Sequence, residues 1–342
     1  MRKILIDKEV KAIASEYKTQ LDTYKDDILD ALRNLRDKFD VANGHTIIKN
    51  NNVALTSMEK NSCYQYVEKV KNDYDNGRLT LMLPNKFEDV YKNEYARILD
   101  VKLLKLKISI DGDAFNSLSS RLIELMKYSK LVRKEIYPKL MRKLGIKSCV
   151  YCNANYAVST ENGVGYFELD HWKPESKYPF LSTSFYNLQP CCPHCNKRKN
   201  SDNKLEFLKL FEEDPNEPLD IFEFHIPEGS LVRYFNSQST SHIKVTFKPA
   251  DSKFDKLRND ANDKFGIEGI YNEHIDIVEE MMWRAKFYNN VILSTMTWVF
   301  KKRWPMVDIA RFKLGSYANK NEVHKRPLTK FMQDVGKQLD II

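Results

Sequence analysis

Glu168-Leu169-Asp170-His171-Trp172-Lys173-Pro174, then Tyr186-Asn187-Leu188, then Cys192-Pro193-His194-Cys195-Asn196-Lys197-Arg198-Lys199 are the three stretches that decide how this chain is read. The first, taken from Tyr166 to His171, has the length and composition of a strand. Gly163 and Gly165 just before it punctuate a hairpin. Cys195 to Leu210 reads as a helix with a basic opening. Five of the six cysteines lie close together, as Cys149-x-x-Cys152 and Cys191-Cys192-x-x-Cys195. Each C-x-x-C pair offers two thiolates from one tight turn, and two such turns close a four-fold site, so Cys149, Cys152, Cys192 and Cys195 are expected to hold structural zinc. Four sulfurs leave no open position for water, which disfavours catalysis at that ion. Cys191 falls outside the spacing and is read as packing or as a neighbour of the zinc ligands.

Outward from this centre the chain is mainly helical. Ile13, Tyr17 and Leu21, then Ile28, Leu32 and Leu35, recur at helical spacing among charged residues. Tyr64 to Asn76 and Phe87 to Ile98 read as helices, and Phe115 to Arg142 as one or two more, interrupted near Pro138. Residues 214–250 read as loops with a few strands. From Phe254 onward the pattern is helical again, with the aromatic and Met residues of 281–304 expected in the core. The expected organisation is a helical region over 1–145, a small core over 146–212, and a mixed, then helical region over 213–342. The fold class is therefore α+β, mainly helical.

Composition narrows the function classes. With 342 residues the chain can bury a sizeable core without disulfides. Lys plus Arg is 55 and Asp plus Glu 47, a net +8, mildly basic and compatible with a nucleic-acid partner without demanding one. Residues 127–147 hold eight basic residues against Glu135, and 301–330 hold nine against two acids. A mean hydropathy of −0.55 argues against an integral membrane protein. Met1-Arg2-Lys3-Ile4-Leu5-Ile6-Asp7 lacks a signal-peptide core, so the expected location is the cytoplasm with no membrane partner.

In combination, Asp-His before a Pro, Asn-Leu about sixteen residues on, and C-x-x-C-Asn-x-x-Lys resemble the zinc-stabilised HNH endonucleases of the ββα-metal class. The resemblance covers Cys149 to about Lys204, a sixth of the chain. It implies a small ββα-metal centre between helical flanks, with His171, Asp170, Asn187 and Asn196 as the catalytic set. Asn196 stands where many members carry His, as in the HNN variants, and His194 is out of register and kept as a minor alternative ligand. Imidazole titrates near neutrality, which suits His171 as general base. A carboxylate and an amide oxygen suit a hard cation, so Asp170 and Asn196 are the expected ligands of Mg²⁺ or Mn²⁺. Asn187 corresponds to the middle Asn, which orients the base and its loop. Asp170 precedes His171, so the two serve one site only if the strand ends and twists there. Glu168 is expected either near this metal or paired with Lys173.

Lys197, Arg198, Lys199 and Lys204 are expected to meet nucleic-acid phosphates, a sequence-independent contribution. The resemblance further implies phosphodiester hydrolysis giving 5′-phosphate and 3′-hydroxyl ends, most naturally on DNA. Tyr178-Pro179 after Asp-His-Trp-x-Pro is similar to HNH nucleases of bacterial restriction and anti-phage defence, some of which work beside an ATPase of the SMC or ABC type. Two other readings stay open on sequence: an HNH ribonuclease, and a non-catalytic zinc module binding nucleic acid or a partner. The second gives no reason for Asp170, His171, Asn187 and Asn196 to stand in register.

Overall fold

The structure is a computed structural model that describes residues 2–200, 208–288, 290–299 and 305–342. Helices dominate, and the strands are short: four two-stranded sheets and one of three strands among the described residues. The N-terminal helices Lys8–Asp22 and Lys25–Lys38 bury the expected stripe of Ile13, Tyr17, Leu21, Ile28, Leu32 and Leu35. Asp7 caps the first through Val10 N–H. The third helix, Ser57–Asp75, starts seven residues before the expected Tyr64. A reciprocal capping box between Thr56 and Glu59 sets that start.

The helical stretch expected over 115–142 breaks at Lys127, and its geometry changes beside Pro138. Helix Leu118–Leu125 ends before Lys127, whose φ of 59° is left-handed, and a π-helix, Tyr128–Ile136, follows. Pro138 sits just past the switch from π to α geometry at Tyr137, in a helical run that continues from Tyr128 to Lys143. Within 214–250 the strands Phe222–His225 and Thr246–Pro249 pair antiparallel, and a helix, Glu228–Ser237, was not foreseen. In the C-terminal region Met281 and Met282 are buried as expected, but Trp283, Phe287 and Trp298 are exposed. In the helix Ile275–Phe287 only Val278, Met281 and Met282 are buried, and the side chain of Met296, in the helix Asn290–Val299, lies outside the described residues. Phe300 and Trp304 lie outside the described residues.

At the centre, the strand Glu168–His171 pairs antiparallel with Leu188–Cys191, with Asp170 opposite Gln189 and His171 opposite Leu188. The helix Pro193–Lys199 follows directly. This strand–strand–helix unit is the expected ββα arrangement. A bend at Phe167 separates the 168–171 strand from Gly165–Tyr166, which forms a hairpin with Val158–Ser159. The helix starts at Pro193 and ends at Lys199, where Asn200 has a φ of 48°; of the rest of the expected helix, 201–207 lie outside the described residues and 208–210 are not helical. No helix among the described residues is long and apolar enough to cross a membrane.

Both flanks grip this centre. Tyr95 stacks on Phe180 with ring centroids 3.8 Å apart, and Tyr17 Oη donates to Thr183 O at 2.7 Å. Ile4–Leu5 pairs in parallel with Phe211–Glu212. From the C-terminal side, Tyr271 Oη donates to Cys152 O at 2.8 Å, and Phe265 stacks on Tyr151 at 5.1 Å. Each fully buried aromatic removes enough apolar surface to contribute about 2–3 kcal/mol. The small centre, which has little core of its own, is therefore positioned by its surroundings.

Candidate active site

Two features meet around the 168–171 strand: a sulfur cluster on one side and a polar cavity on the other. The ligand atoms of Cys149, Cys152, Cys192 and Cys195 all lie within 4.8 Å of one another, and all four residues are buried. Cys192 is the N-cap of the Pro193–Lys199 helix, and its sulfur accepts from Cys195 N–H. Asn155 Nδ2 approaches Cys192 Sγ at 3.7 Å and Cys152 Sγ at 3.9 Å. Hydrogen bonds from Cys149, Cys152 and Cys195 hold the Cys192 thiol far below the usual range. Four convergent sulfurs with N–H donors around them suit a closed tetrahedral zinc site. His194 is exposed and takes no part in the cluster. Cys191 points elsewhere, its sulfur meeting Glu168 O at 3.6 Å, and burial pushes its thiol up.

The cavity, about 570 Å³, is lined by Glu168, Asp170, His171, Glu175, Asn196 and Lys197, among others. Asp170 and His171 thus open onto one space although they are sequence neighbours. The strand ends at His171, which relaxes the alternation that would send them to opposite faces.

His171 is buried against the ring of Tyr128, 4.4 Å away, and its Nε2 lies 2.8 Å from Ser182 O. A carbonyl only accepts, so Nε2 carries the proton. Nδ1 faces Glu175 Oε2 at 3.2 Å, a contact that becomes an ion pair when Nδ1 carries a proton. This Glu175 oxygen is buried and has no hydrogen-bond partner.

Asp170 Oδ2 takes two donors, Tyr151 Oη at 2.6 Å and Lys199 Nζ at 2.7 Å. Its Oδ1 has no partner among the described residues, and neither has the side-chain amide of Asn196, half-buried on the same cavity. A carboxylate oxygen and an amide oxygen on one wall form a donor set that fits a hard divalent cation.

Asn187 does not line the cavity. It is fully buried and laces the loop after His171. Its Oδ1 accepts from Lys173 N–H at 2.7 Å, while its Nδ2 donates to Lys173 O and Leu181 O. Its own carbonyl accepts from Trp172 N–H at 2.8 Å.

The basic residues divide. Lys197 is exposed on the cavity rim. Arg198 is exposed, but its Nε donates to Lys264 O at 2.6 Å and it does not line the cavity. Lys199 corrects the expectation of a phosphate contact: it is 2% exposed, and its ammonium is directed inward to Asp170 and to His171 O. Lys204 lies outside the described residues. Glu168 pairs with Arg133 of the π-helix rather than with Lys173, which instead pairs with Glu88 at 3.1 Å.

Residues that sequence reasoning missed are Tyr151, Glu175, Arg133, Tyr128 and Ser182. Tyr151 lies inside the first C-x-x-C, and Glu175 four residues after His171, so proximity to the motif was the available signal. Arg133, Tyr128 and the carbonyl of Ser182 reach the site through tertiary packing and leave no local pattern.

Residues 149–202 match the family model for HNH endonucleases. The chain carries an HNH endonuclease domain. Over 72 residues it is 33% identical to the Septu protein PtuB of Bacillus thuringiensis. That stretch is 20% of this chain and 26% of the relative, so the chain spans about a quarter of the length of the curated relative it matches. No solved structure matches the chain.

Proposed function

We propose that this protein is a divalent-metal-dependent HNH nuclease that hydrolyses phosphodiester bonds of DNA. The observation that carries the reading is the convergence of Asp170, His171 and Asn196 on one cavity, with His171 Nε2 held on Ser182 O and Nδ1 on the side of Glu175. Asp170 Oδ1 and the Asn196 amide oxygen would hold Mg²⁺ or Mn²⁺. When bound, such an ion supplies a positive charge for the developing oxyanion and the leaving oxygen.

The chain's own residues supply the rest. His171 Nδ1 takes the proton from the attacking water, while Nε2–H stays on Ser182 O and holds the ring in place. Asn187 fixes the loop that carries Glu175 and the Ser182 carbonyl. Lys197 at the rim meets the phosphate backbone without reading sequence. Zinc on Cys149, Cys152, Cys192 and Cys195 would be structural, anchoring Tyr151 on one side of Asp170 and the Pro193–Lys199 helix on the other.

The setting we propose is bacterial restriction or anti-phage defence, with a partner ATPase of the SMC or ABC type. This rests on the resemblance of the motif and on the likeness to the Septu protein PtuB. Matched plasmid, linear duplex, single-stranded DNA and RNA, each with Mg²⁺ and with EDTA, test the substrate. Cleavage confined to DNA is expected, and cleavage confined to RNA would replace it with the ribonuclease reading.

A further inference from the structure

Lys199 is the least expected charge in the molecule. It ends the Pro193–Lys199 helix, is 2% exposed, and is held on three sides. Its Nζ donates to Asp170 Oδ2 at 2.7 Å and to His171 O at 2.5 Å, and lies 5.8 Å from the centre of the Tyr151 ring. The helix itself is fixed through Cys192 and Cys195, so Lys199 is built in rather than a surface side chain that has folded down.

A buried carboxylate without a counter-charge is costly, and Lys199 supplies that charge. The same arrangement works against a second cation. A divalent ion on Asp170 Oδ1 would share one carboxylate with an ammonium bonded to its other oxygen. Like charges a few ångströms apart repel, and a partly buried site screens that repulsion less than water does. Tyr151 is the neutral counterpart. Its hydroxyl donates to the same Oδ2, and it is held in turn by Gln189 Nε2 at 2.8 Å. It orients Asp170 without adding charge.

We propose that Lys199 is the resident counter-ion of Asp170, a positioning residue that keeps the site assembled without its divalent metal and sets that metal's affinity low. This rests on the assignment of Asp170 as a metal ligand. It makes the catalytic ion readily exchangeable, in contrast to zinc at the cysteines.

The two donors to Asp170 allow a test by sign. Mn²⁺ binding to the full-length, zinc-loaded protein is measured by electron paramagnetic resonance of free Mn²⁺, without nucleic acid, for wild type, Lys199→Met, Lys199→Gln, Tyr151→Phe and Asp170→Asn. Both Lys199 variants are expected to bind Mn²⁺ at least about tenfold tighter, because charge repulsion is removed. Tyr151→Phe leaves the charge in place and is expected to bind no tighter than wild type. A merely structural Lys199 would give the opposite sign, since loosening Asp170 weakens binding. Lys199→Gln keeps a polar group where Lys199→Met leaves a methyl, which guards against misfolding in one variant; zinc content and the far-UV spectrum certify each. Unchanged or weaker Mn²⁺ binding in folded Lys199 variants would overturn the proposal. If binding in wild type does not depend on Asp170, the metal-site assignment itself falls, and this proposal with it.

Discussion

Asn187→Ala removes one side chain and breaks three hydrogen bonds to the loop that follows His171: Lys173 N–H to Oδ1 at 2.7 Å, and Nδ2 to Lys173 O at 3.1 Å and Leu181 O at 3.2 Å. The amide is fully buried, so water cannot readily replace it. A buried hydrogen bond contributes about 1 kcal/mol net, and stranding its partner costs about 1–3 kcal/mol. Three such bonds place the loss near 3 kcal/mol, with the cavity adding to it. Equilibrium urea unfolding of the zinc-loaded protein measures it as a shift in midpoint at constant slope. Because Asn187 does not touch the cavity, cleavage is expected to fall through displacement of Glu175 and Ser182, with Mn²⁺ binding largely kept. Asn187→Asp keeps the acceptor for Lys173 N–H but sets a carboxylate against two carbonyls, and should be no more stable than Asn187→Ala. A loss under about 1 kcal/mol, with wild-type cleavage, would refute the claim that this amide holds the loop.

Two further outcomes follow from the same structure. Cys195→Ser should lower zinc from one ion per chain to none, by elemental analysis of the purified protein, and destabilise the centre together with the start of its helix, since structural zinc contributes roughly 10 kcal/mol or more in small domains; a zinc-free, fully stable variant would contradict the structural role. His324, buried with Nε2 on Arg2 O, has its pKa pushed down to about 4 by burial. The unfolded chain therefore takes up the proton first, near pH 6.5. Its contribution to stability is full above that pH and is lost as pH falls toward 4, a loss of about 3 kcal/mol. Melting temperatures across that window should fall less steeply in His324→Gln than in wild type, and parallel curves would refute the assignment.

Much of the centre was legible because short-range chemistry writes itself into spacing. Two C-x-x-C turns bring four sulfurs together whatever surrounds them; the ββα unit comes from the family resemblance, since the residues alone give the first strand and the helix but not the return strand Leu188–Cys191. The amphipathic N-terminal helices were legible for the same reason, since Tyr17 and Leu21 share one buried face. What escaped depends on tertiary context. The basic run at Lys197, Arg198 and Lys199 looks uniform, yet a seven-residue helix turns one outward to the rim, ties one to Lys264 and buries the third against Asp170. Glu168 could not be matched to Arg133 from sequence, because 35 residues and a π-helix separate them. The exposed Trp283 and Trp298 show the limit of reading apolar residues as core: burial of aromatics is a rule that runs one way.

The most direct test of the central claim sets wild type beside His171→Ala on plasmid DNA with Mg²⁺, Mn²⁺ or EDTA, with zinc content and DNA binding measured on the same samples. The account predicts cleavage by wild type that requires the divalent ion, and none by the variant, which still holds zinc and still binds DNA. Equal cleavage by the two proteins would contradict it.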